Sequence, residues 1–190
     1  MTLRPCADTS QADWLLASGV SWHQVVGFGP AGFEAYARLR FIPDPVRPGQ
    51  HEGDVEVPDD HPSDWSQALS ALDVLARFTQ SERWFICVWE GSGHDVPPAV
   101  FREPLVGPPE RRYFMAEGTS DDLAQWETMF EHGQPVPALV WPADRAWCFA
   151  SDVDAHWAGI GASAAAVQAL MSSGLDVVPA DPEEPQPTYY

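Results

Sequence analysis

Apolar residues recur along this chain with two rhythms, and each change of rhythm marks an element. From Ala35 to Ile42 they alternate. Ala35, Ala37, Leu39 and Phe41 share one face, Tyr36, Arg38, Arg40 and Ile42 the other, which predicts a strand with a core face and a face bearing two cations. Ser21 to Phe28 reads as a preceding strand, joined to it through the Gly-Pro-Ala-Gly turn at 29–32. Trp84 to Trp89 is apolar on both faces and predicts a central strand, left through the turn at 91–93. Arg111 to Glu117 predicts another strand, and Ala99 to Val106, set among prolines, an edge strand. Pro137 to Trp141 and Ala146 to Asp152 predict a hairpin about residues 142–145, and Leu175 to Val178 a short closing strand.

Helical spacing appears between them. Ser10 with Asp13 forms a capping box that opens a short helix carrying Trp14, Leu15 and Leu16 and stopped by Gly19. Asp64 as N-cap with Gln67 at N3 opens an amphipathic helix through Trp65, Leu69, Leu72 and Leu75 toward Phe78. Thr119 with Asp122 opens a third, with Leu123, Trp126 and Phe130 on one side and a stop at Gly133. A last helix spans Ser163 to Ser172 and ends at Gly174. Strands in runs with helices scattered among them define an α+β class: one domain over 1–179, with a mainly antiparallel sheet flanked by about four helices.

Two segments carry no periodicity. Residues 43–63 hold five prolines, and a loop of that length inside a domain is usually functional or disordered. The tail, 180–190, is Pro-rich and acidic and is expected to be flexible.

Composition narrows the chemistry. The 190 residues contain no Lys, and 28 Asp and Glu face 10 Arg for a formal net charge of −18. A lysine-dependent ATP site, a P-loop or a Schiff base is therefore excluded, because each needs the ε-amine. Long-range repulsion argues against nucleic acid as a partner. Three cysteines at wide spacing, without C-x-x-C, fit neither a zinc ribbon nor a disulfide scaffold, and Cys87 and Cys148 sit in apolar runs that read as core. Residues 1–8 lack an apolar leader and no segment is long enough to span a membrane, which predicts a cytoplasmic protein.

The acids are unevenly placed. Residues 1–50 hold four acids and four Arg, whereas 51–100 hold ten acids against two Arg. Glu52, Asp54, Glu56, Asp59, Asp60 and Asp64 concentrate that excess in and beside the Pro-rich loop, the expected docking region for a basic protein partner. Trp65 is the nearest aromatic anchor, but its helical register assigns it to the core.

Other constellations are weaker. His51 and His61 flank acids, yet their spacing fits no EF-hand, and no metal or cofactor is expected. Asp152, Asp154 and His156 alternate and would share a face if they lay on a strand. Gly27, Gly29 and Gly32 match G-x-G-x-x-G, but the turn leads into a strand pattern instead of the helix that must receive a pyrophosphate. Arg38, Arg40 and Arg112, on predicted strands, form a possible anion site if those strands are neighbours. No nucleophile elbow or H-E-x-x-H motif is present, so no catalytic residues are assigned.

Four segments together carry a resemblance: Phe28 to Phe41, Trp84 to Gly91, Arg112 to Phe114 and Trp141 to Trp147. Over roughly residues 10–178 the chain resembles a group of small acidic actinobacterial α+β proteins. Some acidic bacterial proteins of this kind are immunity proteins that neutralise a toxin. The resemblance thus implies a non-catalytic, immunity- or antitoxin-like module for a basic partner. The alternative expectation is a small-molecule or metal-dependent enzyme with a Trp- and Arg-lined pocket under the 43–63 loop.

Overall fold

The alternating and wholly apolar segments pair into one sheet. A computed structural model describes residues 3–17, 19–93, 96–102, 104–130 and 135–190. Its strands are β1 (Arg4–Pro5), β2 (Ala35–Arg40), β3 (Trp84–Trp89), β4 (Tyr113–Gly118), β5 (Leu139–Pro142), β6 (Cys148–Ser151), β7 (Trp157–Ala162) and β8 (Val177–Pro179). All pairings are antiparallel, in the order β1-β4-β3-β5-β6-β7-β2-β8. The helices among the described residues are α1 (Asp13–Ala17), α2 (Trp22–Phe28), α3 (Asp64–Leu75), α4 (Ser120–Leu123), α5 (Trp126–Met129) and α6 (Ala164–Met171). The fold is α+β, as the pattern predicts.

Helices cover both faces of the sheet, which explains why β3 is apolar throughout. Ile86 and Val88 meet Leu72 and Leu75 of α3 and Leu170 of α6 in one core, together with Leu39, Val140 and Ile160. Phe85 and Cys87 point the other way and join Leu15 of α1 and Val25 and Val26 of α2, with Leu139, Trp141 and Cys148. Successive strand residues face opposite sides, so only a strand buried on both faces needs apolar residues at every position.

Several local expectations give way. Ser21 to Phe28 is not a strand. Ser21 caps α2, its hydroxyl accepting from the Gln24 amide, and Val25, Val26 and Phe28 are buried on one side. The adjacent β-branched pair suggested extension, and packing against β6 and β7 overrides that preference. Ala99 to Val106 forms no strand among its described residues, only an isolated bridge from Val106 to Tyr113. Asp8, not Ser10, accepts from the first free amide and opens a 3₁₀ turn before α1. Ser63 caps α3 by accepting from Ser66, which makes Asp64 the first helical residue. The helix expected from Thr119 breaks into α4 and α5, and its expected stop at Gly133 lies outside the described residues.

All three cysteines are buried and unpaired. Burial pushes the thiols of Cys87 and Cys148 well above their usual range and raises that of Cys6. Because the thiolate is the reactive form, the native protein is expected to give no reaction with Ellman's reagent near pH 8 on a timescale of minutes. All three thiols should react once the chain is unfolded in guanidinium. Rapid labelling of any of them in the native state would contradict their placement.

Candidate functional site

The residues of interest gather at the sheet end where β2, β3 and β6 finish and β4, β5 and β7 begin. Chain direction sets this, because antiparallel pairing places Arg40 opposite Trp157, Ser151 opposite Ala158, and Trp89 opposite Tyr113. The 43–63 loop leaves from the same end and returns there at α3.

That loop presents its acids to solvent. Glu52, Asp54, Glu56, Asp59, Asp60 and Asp64 are all exposed. Among the described residues one cation pairs with them: Arg47, 3.4 Å from Asp54. The loop is pinned nevertheless. His61 Nε2 donates to the Phe41 carbonyl at 2.6 Å, and Gln67 donates to the same oxygen and to that of Pro62. Val46 donates its amide to the side chain of buried Gln50 at 2.9 Å. A short 3₁₀ turn at Glu52–Asp54 is its one helical piece.

Beneath the loop's start lies a charged knot. Arg38 reaches Asp44 through both terminal nitrogens at 2.7 and 3.0 Å, Arg40 joins at 3.1 Å, and His156 Nε2 donates at 3.0 Å. Arg38 is 6% exposed and stacks over Trp157. Burial pushes the Asp44 carboxyl up, but the bonds from Arg38, His156 and Arg40 outweigh it and hold it far below the usual carboxylate range. Arg40 also bonds Asp176 at 2.6 Å.

Arg38 and Arg40 thus converge, yet the anion they meet belongs to the chain. Arg112 does not join them. It pairs with Glu90 at 3.1 Å beside β4, with β3, β5, β6 and β7 between β4 and β2. Nor do Asp152, Asp154 and His156 act together. Residues 152–155 form a turn, Asp152 bonds Arg111, and His156 goes to Asp44.

The tail contributes to this end as well. Residues 180–190 carry no helix or strand, but the Tyr189 hydroxyl donates to the Pro43 carbonyl and its ring lies 4.7 Å from that of His156. Tyr190 donates its amide to Gln50 at 2.9 Å, and its main-chain oxygen meets His51 Nδ1 at 3.0 Å.

The same end of the sheet holds a cleft of about 730 Å³. Phe41, Trp65, Val88, Trp89 and Val136 give it an apolar wall, and Ser63, Ser151, Asp64 and Asp152 stand around it. None of the described lining residues is basic. Asp64 stands at both places, as the last acid of the loop and on the lip of the cleft. Although Asp64 reaches solvent, partial desolvation of its carboxyl raises it, and the neighbouring charge of Glu52 adds to the rise. Beside the cleft, on the α2 face of the sheet, Arg111 lies on the face of Trp89, 4.5 Å from the ring centroid, while bonding Asp152 and the Tyr113 hydroxyl. Burial pushes Tyr113 up to about 12.

Asp44, His156, Trp89 and Asp152 went unassigned as site residues in the sequence. Asp44 had one local signal, an acid four residues after the second cation of an Arg-x-Arg strand. Trp89 had none, because an indole in an apolar run reads as core. His51, His61 and His156 each bond to the chain itself, and no cluster of three or more His, Cys, Asp or Glu suited to an ion occurs among the described residues. No helix among them is long and apolar enough to cross a membrane. Compared with known proteins, the chain matches no family model, no curated protein and no solved structure.

Proposed function

We propose that this chain is a non-catalytic, acidic protein-binding module that covers a basic surface of a protein partner, in the manner of an immunity or antitoxin protein. One observation carries the reading. The acids of the 52–64 segment are all exposed and have Arg47 as their single paired cation among the described residues. Like charges held side by side on an anchored loop repel one another, and a cationic surface relieves that repulsion. Such a surface raises the association rate and rejects acidic partners. The enzyme reading is weaker, because Arg38 and Arg40 bond Asp44 and neither lines the cleft.

The test begins with capture of the partner from host lysate at low and high salt, followed by affinity measurement with the purified pair. Changing Asp54, Glu56, Asp59 and Asp60 together to Asn or Gln should weaken binding. With exposed pairs worth about 0.5 kcal/mol each, the loss is ~30-fold at low salt. The dependence on ionic strength should flatten in parallel. Unchanged affinity in the fourfold variant, with its circular dichroism intact, overturns the assignment of the loop.

A further inference from the structure

The loop can steer a basic partner, but exposed charges alone give little specificity, and the cleft beside them supplies what they lack. Its wall combines indole and aliphatic surface with a carboxylate, Asp64, that has no hydrogen bond or ion pair among the described residues. A neutral apolar ligand would bury that carboxylate unpaired, at a cost of several kcal/mol. An anion would meet two carboxylates and no basic lining group among the described residues. What fits is a group with an apolar stem and a positive head.

A pair next to the cleft displays the preferred head. Arg111 lies over Trp89 with its guanidinium bonded to Asp152, an arginine-on-indole pair made from the chain's own residues. Both hydrogen bonds that Asp152 accepts among the described residues fall on Oδ1, which leaves Oδ2 as a further acceptor. A guanidinium is planar, weakly hydrated and rich in donors, so it suits a partly desolvated cleft with several acceptors better than an ammonium does.

We infer that the cleft is an anchor pocket for an arginine side chain of the basic partner, with Asp64 meeting the guanidinium and the apolar part of the lining covering its stem. This rests on the docking reading above: the loop draws the partner in, and the cleft fixes its register. A buried arginine ringed by weaker polar contacts is a common energetic centre of an interface.

The probe is the capped peptide acetyl-Gly-Gly-Arg-Gly-Gly-amide, titrated into the ¹⁵N-labelled full chain. The indole and amide resonances of Trp89 report the cleft, and the amides of residues 52–60 report the loop. Saturable shifts at Trp89 are expected at about millimolar peptide, the strength of a single anchoring side chain. The uncharged citrulline peptide should leave Trp89 unmoved and the lysine peptide should bind several-fold more weakly. Asp64→Asn should weaken the arginine peptide ~10-fold, the scale of one charged hydrogen bond. Ala155→Phe, which fills the cleft from a half-buried lining position, should abolish the response. Equal binding of the citrulline peptide, or no shift at Trp89, overturns the inference.

A deca-lysine peptide separates the two failures. If it shifts residues 52–60 in a salt-sensitive way while the arginine peptide leaves Trp89 unmoved, the pocket falls and the docking surface stands. If neither peptide shifts anything, both fall.

Discussion

Replacing Asp44 by Asn should cost the fold about 3 kcal/mol, read as a lower urea midpoint with an unchanged slope. Asp44 is the common acceptor for Arg38, Arg40 and His156, and it bonds Arg38 through two parallel contacts. The variant leaves a guanidinium with a 7% exposed side chain facing a neutral amide. Removing one member of a buried pair is costly because the remaining charge stays out of water. Arg40 suffers less, since it keeps Asp176. The double variant Arg38→Met, Asp44→Asn should recover part of the loss, because it removes the stranded charge.

Acidity should reproduce the same loss in the native protein. The folded-state carboxyl of Asp44 is depressed, so its contribution is fully present above the unfolded value of about 3.9 and is lost as pH falls toward the folded value. Glu117 shifts in the same direction: burial raises it, and its bonds to Arg83 and Arg4 outweigh that. Wild-type stability should therefore fall steeply below about pH 4, and Asp44→Asn should flatten the slope. A variant that loses under about 1 kcal/mol, or keeps the wild-type acid slope, contradicts the role given to this knot.

Gly159→Ala should be as damaging, for a steric reason. Gly159 faces α2 across the sheet, and a Cβ there would lie 1.9 Å from the Gly27 carbonyl oxygen and 2.7 Å from the Phe28 ring. Main chain blocks the way, so α2 must lift from β6 and β7 and lose the seating of Val25 and Phe28. Overpacking against backbone is expected to cost about 3 kcal/mol or to prevent folding. Gly161→Ala should be milder. Its nearest obstacles are the side chains of Phe33, at 2.3 Å, and Tyr36, and the half-buried Phe33 can move. Gly53→Ala meets nothing within 4 Å and should stay within about 0.5 kcal/mol of wild type. If all three variants unfold at the same urea concentration, the close seating of α2 on β7 is wrong.

These two sites also mark how far local pattern reaches. The alternation of Ala35 to Ile42 predicts a strand whose two arginines share a face, and β2 carries them so. The all-apolar run at Trp84 predicts a centre, and β3 lies between β4 and β5. Yet the same reasoning extends Ser21 to Phe28, which is helical. A seven-residue stretch with adjacent valines is ambiguous until something packs on it, although Ser21 ahead of the Gln24 amide was a usable capping signal.

The sequence by itself determined what is short-range or additive. Hydrophobic rhythm sets most elements and the α+β class, Gly29 and Gly174 supply positive backbone angles beside α2 and α6, and the acid excess is a sum over residues. Tertiary structure decided every meeting of distant groups. Asp44 finds His156 across 112 positions, and the cleft draws its walls from Phe41 just past β2, α3, β3 and the turn after β6. Strand order brings these segments to one end of the sheet. That order reflects which faces can be buried together, a property of the whole chain that no window of neighbouring residues contains.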